Sequence, residues 1–347
     1  MHFFEDRVTI DNAVEFLAAM PDSLALAVGQ KVPRHHFLAE CMESAPLRMG
    51  AYAAGLIVGG RRPGETQASV ISLGLRTAEF SRSLAESLQG VVRRRFDAQA
   101  RHRAFVSEIE VSRLGVAEPM GNVELASTLS DVTDGDEYQV GRARLSDGET
   151  ITLFSFGRIA DVDRQTIIND DKEILVTSIG ALGATAARHE SRLVAEALEN
   201  NGPLSDGSAV FDPSHGNVIT TAFDVGFGPA LAALRNQKGD DGLALDYSAA
   251  HLVVASDLEY AATKLVHDAG LQIQVTAMAS LTAGRYFLAA SKEVAQTIAV
   301  ARLAEAGHPL TVEAAKGAAN LDGMSVRVRL EVGSRWIGRK GVVRGGS

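Results

Sequence analysis

Hydrophobic and polar positions follow different rhythms along this chain. Over residues 172–201 apolar side chains recur at three- and four-residue steps: Ile174, Leu175, Ile179, Leu182, Ala186, Leu193, Val194 and Leu198. That period predicts one helix of roughly seven turns with a single apolar stripe. Gly180, Ala181, Gly183, Ala184 and Ala187 make its middle slender, suited to close packing on a sheet, and Asn201-Gly202-Pro203 ends it. Between Gly115 and Gly157 the helical period is lost, and "DGDEYQVGRARLSDGETITLFSFG" alternates as strands do. Asp147-Gly148 separates two alternating runs and suits a tight turn, so the pattern predicts an extended hairpin with its tip near Asp147. Tyr138, Val140, Arg142 and Arg144 share one face of its first strand and make a poor core. Such a hairpin needs another surface to lie against, including another copy of the chain.

Elsewhere the pattern is shorter-ranged. The first sixty residues read as short helices broken by Pro21, Pro33 and Pro46, ending at "GGRRPGET". From Leu75 to about Leu114 the period is helical and the surface basic, with Arg93, Arg94, Arg95, Arg101 and Arg103 as a solvated or partner-facing patch. After the long helix come a helix from Asp224 to Lys238, a strand from Ala249, a helix from Asp257 to Asp268, and strands near Gln272–Thr276 and Arg285–Ala290. The final "GMSVRVRLEVGSRWIGRKGVVRGG" alternates again and carries Arg327, Arg329, Arg335 and Arg339. The class is α+β, without repeated βαβ units or internal repeats.

Composition narrows the function. With 46% hydrophobic residues in 347, the chain can bury a real core. Its start lacks the build of a signal peptide, and Gly50–Gly60 is too short to span a bilayer, so a soluble cytosolic setting and no membrane partner are expected. The single cysteine, Cys41, excludes an intrachain disulfide or a multi-cysteine metal site. A formal net charge of -9 argues against a dedicated nucleic-acid reader.

The candidate chemistry is thin. Asp161, Asp163, Asp170 and Asp171 fall within eleven residues, but a calcium loop begun at Asp161 would have Thr166 in place of its Gly and Lys172 in place of its Glu. Asp170 and Asp171 read as helix-start residues that accept from free backbone N–H groups. "GGRRPGET" resembles a phosphate loop but has Glu65 where lysine belongs. Asp212, Ser214 and His215 crowd one turn, where triad members rarely meet productively, and His35-His36 lacks further ligands at metal spacing. No catalytic residue, cofactor or metal site is expected.

At "GETITLFSFGRIADVDRQTIINDD" the sequence resembles the Mu-like major head subunit family of tailed phages. The likeness continues through "ARHESRLVAEALENNGPLSDGSAVFDPSHGN", "GFGPALAALRNQKGDDGLALDYSAAHLVVASDLEYAATKLV" and "DGMSVRVRLEVGSRWIGRKGVVRGG", covering most of residues 148–346. The resemblance implies the Hong Kong 97-type capsid fold. Its parts here would be an N-terminal helical arm region (1–118), an E-loop with extended hairpin (119–168), a P domain with spine helix (169–216), an A domain (217–304) and return strands of the P domain (305–347). It also implies a shell of hexamers and pentamers around double-stranded DNA, in a phage, prophage or gene transfer particle assembled in the host cytoplasm. Expected partners are the chain itself, scaffold, portal and decoration proteins, and DNA held non-specifically. Arg142, Arg144, Asp147, Glu149 and Arg158 are candidate inter-subunit contacts. An encapsulin-like compartment is the alternative; a hydrolase built on Ser214, His215 and Asp212 is the third reading.

Overall fold

The computed structural model describes residues 7–32, 34–60, 64–119, 122–124, 144–146, 149–239, 242–315 and 323–346. The chain divides into two compact units: Met1–Gln99 with Ser155–Arg188 and Pro309–Leu330, and Ala100–Phe154 with His189–His308 and Glu331–Ser347.

In the first unit, helices Ala13–Ala27, Ala39–Met42, Pro46–Gly59, Gln67–Gly74 and Ala78–Gln99 bury Phe16, Met20, Leu24, Tyr52, Phe80, Leu84 and Leu88. Pro46 occupies the first position of its helix, where a missing N–H costs nothing. Pro21, expected to break a helix, lies inside one. It leaves the Leu17 carbonyl without an intrahelical donor, and Ser83 Oγ donates to that oxygen at 2.9 Å. Pro33 lies outside the described residues. Helix Ala78–Gln99 stops short of the expected Leu114; Arg101–Ala104 forms a 3-10 turn and Ser107–Val111 a strand of the other unit.

The long helix runs Lys172–Glu199, 28 residues or about 42 Å. The glycines of its slender middle receive a helix. A Cβ on Gly183 would lie 2.1 Å from the Val92 carbonyl oxygen, and Gly180 faces Val91 and Arg95. Small residues announce a close backbone approach without saying from which element. Of the predicted stripe, Leu175, Ile179, Val194 and Leu198 are buried and Leu182, Ala186 and Leu193 half-buried, but Ile174 is 65% exposed; Val176 and Ala187, outside it, are buried as well. Strand Leu310–Ala315 pairs antiparallel with Ser325–Leu330, placing Glu313 opposite Arg327. Phe154–Asp163 also pairs with Gly323–Trp336, the strand that includes Ser325–Leu330.

In the second unit, Ser107–Val111 lies parallel to Ile298–Leu303, which runs antiparallel to Gly333–Trp336. A separate five-stranded sheet has the order Val218–Ile219, Val342–Gly345, Tyr286–Ala290, Ala249–Ala255, Gln274–Met278. Leu252, Val254, Tyr286, Leu288 and Val343 on one face pack with Phe223, Phe227, Leu234, Ala262 and Val266 from helices Phe223–Arg235 and Glu259–Asp268. Ala249–Ala255, Glu259–Asp268 and Gln274–Met278 form one parallel βαβ unit.

Two sequence expectations change. The residues after 305 were expected in one sheet, yet Val342–Gly345 joins the sheet of Tyr286–Ala290. Gly341, at φ +89°, turns the chain there and donates its N–H to Gln237 Oε1 at 2.6 Å. The hairpin pairing also differs from what the alternation suggested. Ala117–Pro119 pairs with Thr150–Thr152 and Asn122–Glu124 with Arg144–Ser146, so the runs on either side of the Asp-Gly pair find their partners earlier in the chain; the expected tip, Asp147, lies outside the described residues. Alternation identifies strands but not their partners, and an Asp-Gly pair makes a hairpin only where its flanking runs pair with each other.

Candidate functional site

The aspartate-rich stretch is structural. The Asp171 carbonyl accepts from Leu175 N at 3.1 Å, which puts Asp171 at the N-cap of the long helix. Asp170 starts a different helix. It has φ +59°, and its Oδ1 accepts from Leu47 N at 2.8 Å and Arg48 N at 3.3 Å. These are the second and third residues of Pro46–Gly59, whose own N-cap, Ala45, offers no side-chain acceptor. Lys172 Nζ adds a bond to the Glu43 carbonyl at 3.0 Å. Burial holds the Asp170 carboxyl above the ordinary carboxylate range, outweighing the two amide donors. Asp161 accepts from the Ser325 hydroxyl. Among the described residues no cluster of His, Cys, Asp or Glu could hold a metal.

The arginines expected on one basic face are divided. Arg93 Nε donates to the Leu310 carbonyl at 3.1 Å, Arg94 Nε to Gly90 O, and the Arg95 stem lies against Gly180. Arg101 is exposed, whereas Arg103 binds Glu190 in the second unit with Nε at 2.9 Å. Glu190 is fully buried and also meets His102 Nε2 at 2.8 Å. Burial raises its carboxyl, but the hydrogen bonds and charges of His102 and Arg103 outweigh that and hold it below the ordinary range. Sequence reading passed over this trio. Its signal was an acid at position 190 inside the stripe between Ala187 and Val194.

Of the candidate inter-subunit residues, Arg142 and Asp147 lie outside the described residues, and Arg144 is placed in a strand. Glu149 is buried against its own chain, accepting from Ser205 N and facing Arg335 at 3.5 Å. Arg158 is exposed, on a strand where only Val162 is buried and where Phe154 and Ile159 are 56% and 52% exposed. A ten-residue strand this open has an edge and faces suited to covering by another molecule.

The turn at Asp212 forms no triad. Ser214 Oγ donates to Asp212 Oδ1 at 2.6 Å, while His215 Nε2 faces Arg339 Nη1 at 3.0 Å. Asp212 caps the 3-10 turn through Ser214 N. The histidine therefore sits against a cation and not between nucleophile and acid. No described helix is long and apolar enough to cross a membrane.

Comparison with known proteins fits an assembly role. The phage capsid protein family matches residues 148–345, more than half of the chain. No curated protein matches it. Among solved structures, the chain is similar to one from Microbacterium phage Oxtober96 at 12% identity, covering 71% of this chain and 90% of that one, with a TM-score of 0.46. It is also similar to the capsid of an empty GTA particle at 13% identity, covering 71% and 89%, with a TM-score of 0.47. The SrpI encapsulin from Synechococcus elongatus PCC 7942 is 13% identical over 71% and 86%, with a TM-score of 0.44. The architecture of the described residues is α+β, as expected. The chain belongs to the phage capsid protein family and is a major capsid protein.

Proposed function

We propose that copies of this chain form hexamers and pentamers that close into an icosahedral shell around double-stranded DNA, in a tailed phage, prophage or gene transfer particle. The family match over residues 148–345 carries this reading. In it, residues 119–168 act as the E-loop, 169–216 hold the spine helix of the P domain, 217–304 form the A domain around the capsomer axis with Val342–Gly345 added to its sheet, and 305–336 supply return strands. Assembly takes place in the host cytoplasm with scaffold and portal proteins, and decoration proteins are further partners. The net charge of -9 suits a container that holds DNA without gripping it. Exposed Arg158 supplies one contact to a neighbouring copy; each such pair contributes only about 0–1 kcal/mol, but a shell repeats it many times.

The test is negative-stain electron microscopy with size-exclusion chromatography of the protein expressed alone and with its neighbouring genes. Closed shells, or capsomer rings that close with scaffold and contain nuclease-protected DNA, are expected. Shells that hold an enzyme cargo and no DNA would favour the encapsulin-like compartment. A monomer under every condition would overturn assembly.

A further inference from the structure

We propose that the helices between Ala13 and Gln99 are a permanent layer of the subunit, kept in the assembled particle and not removed as it forms. The proposal rests on the shell reading for its setting. These helices precede the family-matched segment, which begins at residue 148, so the match assigns them nothing.

Three attachments within the first unit carry the inference. At Gly183 the long helix approaches the Val92 backbone so closely that a Cβ would lie 2.1 Å from its carbonyl oxygen, and a Cβ on Gly180 would lie 3.2 Å from Val91 Cγ1. Arg93 Nε donates to Leu310 O at 3.1 Å, on strand Leu310–Ala315. Asp170 Oδ1 accepts from the first turn of Pro46–Gly59, and Lys172 Nζ reaches Glu43 O. The layer is equally tight inside. A Cβ on Gly55 would lie 2.0 Å from Val70 O, and one on Gly74 would lie 1.8 Å from Ala51 O. Removing the layer would uncover the glycine face of the long helix and take both amide donors from a half-buried carboxylate. Water does not replace backbone-to-backbone packing cheaply, so these contacts suit a fixed part.

Two measurements decide it. Limited proteolysis of the purified full-length subunit should leave Ala78–Gln99 as resistant as Lys172–Glu199; early loss of the 13–99 region overturns the proposal whether or not shells form. Denaturing intact-mass analysis of purified particles should return residues 13–99, whole or nicked but retained; particles that lack them overturn it. Failure to form particles would count against the shell reading alone, and proteolysis would still decide this one. Gly183→Val should speed cleavage within Ala78–Gln99 about tenfold, the factor given by an ordinary overpacking cost. Gly90→Ala, where a Cβ meets nothing within 4 Å, should not. Equal rates for both variants would contradict the packing on which the proposal stands.

Discussion

Asp170 combines two demands that few residues meet. Its backbone is left-handed, and its side chain caps a helix whose capped residues lie 122 and 123 positions earlier in the chain. Asp170→Ala should lose the cap, about 1 kcal/mol, and strain the backbone by about 1–2 kcal/mol more. Asp170→Asn keeps an acceptor and tolerates the left-handed conformation. The folded-state carboxyl is raised, so its contribution is full below the unfolded value and falls as pH rises through the folded one. Asparagine should therefore be at least as stable as the parent at neutral pH, with a flatter pH dependence across that acid window, measured by urea unfolding. Glu190 has the opposite sign: its depressed carboxyl contributes stability above the ordinary carboxylate value that is lost as pH falls through the folded one. Glu190→Ala leaves His102 and Arg103 without their buried partner and should cost about 3–5 kcal/mol, read by thermal or denaturant unfolding. The charge pattern at 161–171 located helix starts, but which helix Asp170 serves depends on a contact over a hundred residues away. No local rhythm encodes that.

At the scale of elements, legibility followed periodicity. The Lys172–Glu199 helix and the strands at Ala249–Ala255 and Tyr286–Ala290 stand where their patterns placed them, because the helix carries one apolar stripe and the strands are short apolar runs buried at consecutive positions. Pro21 misled because helix propensity treats a missing donor as final, whereas Ser83 supplies a hydroxyl from another helix. The hairpin misled for a related reason: Asp-Gly is a turn signal only in a local pairing, and the partners of 144–146 and 150–152 lie at 122–124 and 117–119. The glycines of the long helix declared a close neighbour but left its identity open between sheet and helix.

At the scale of the whole molecule, the strand Phe154–Asp163 is an open surface suited to a neighbour. Ile159→Lys should change subunit stability by no more than about 0.5 kcal/mol, because the side chain is 52% exposed. If neighbouring copies cover this strand, the same change should lower the yield of closed shells in sedimentation. Full yield with a bound neighbour elsewhere would remove the strand from the interface. A different consequence follows from the position of Val342–Gly345. It lies between Val218–Ile219 and Tyr286–Ala290, and parallel to the former, so the sheet begun near residue 218 stays open until the ribosome has passed residue 345. A growing chain thus cannot complete this unit before that point. Only chains that include residues 342–345 present the closed sheet, and ones interrupted earlier are left with a gap at its second position.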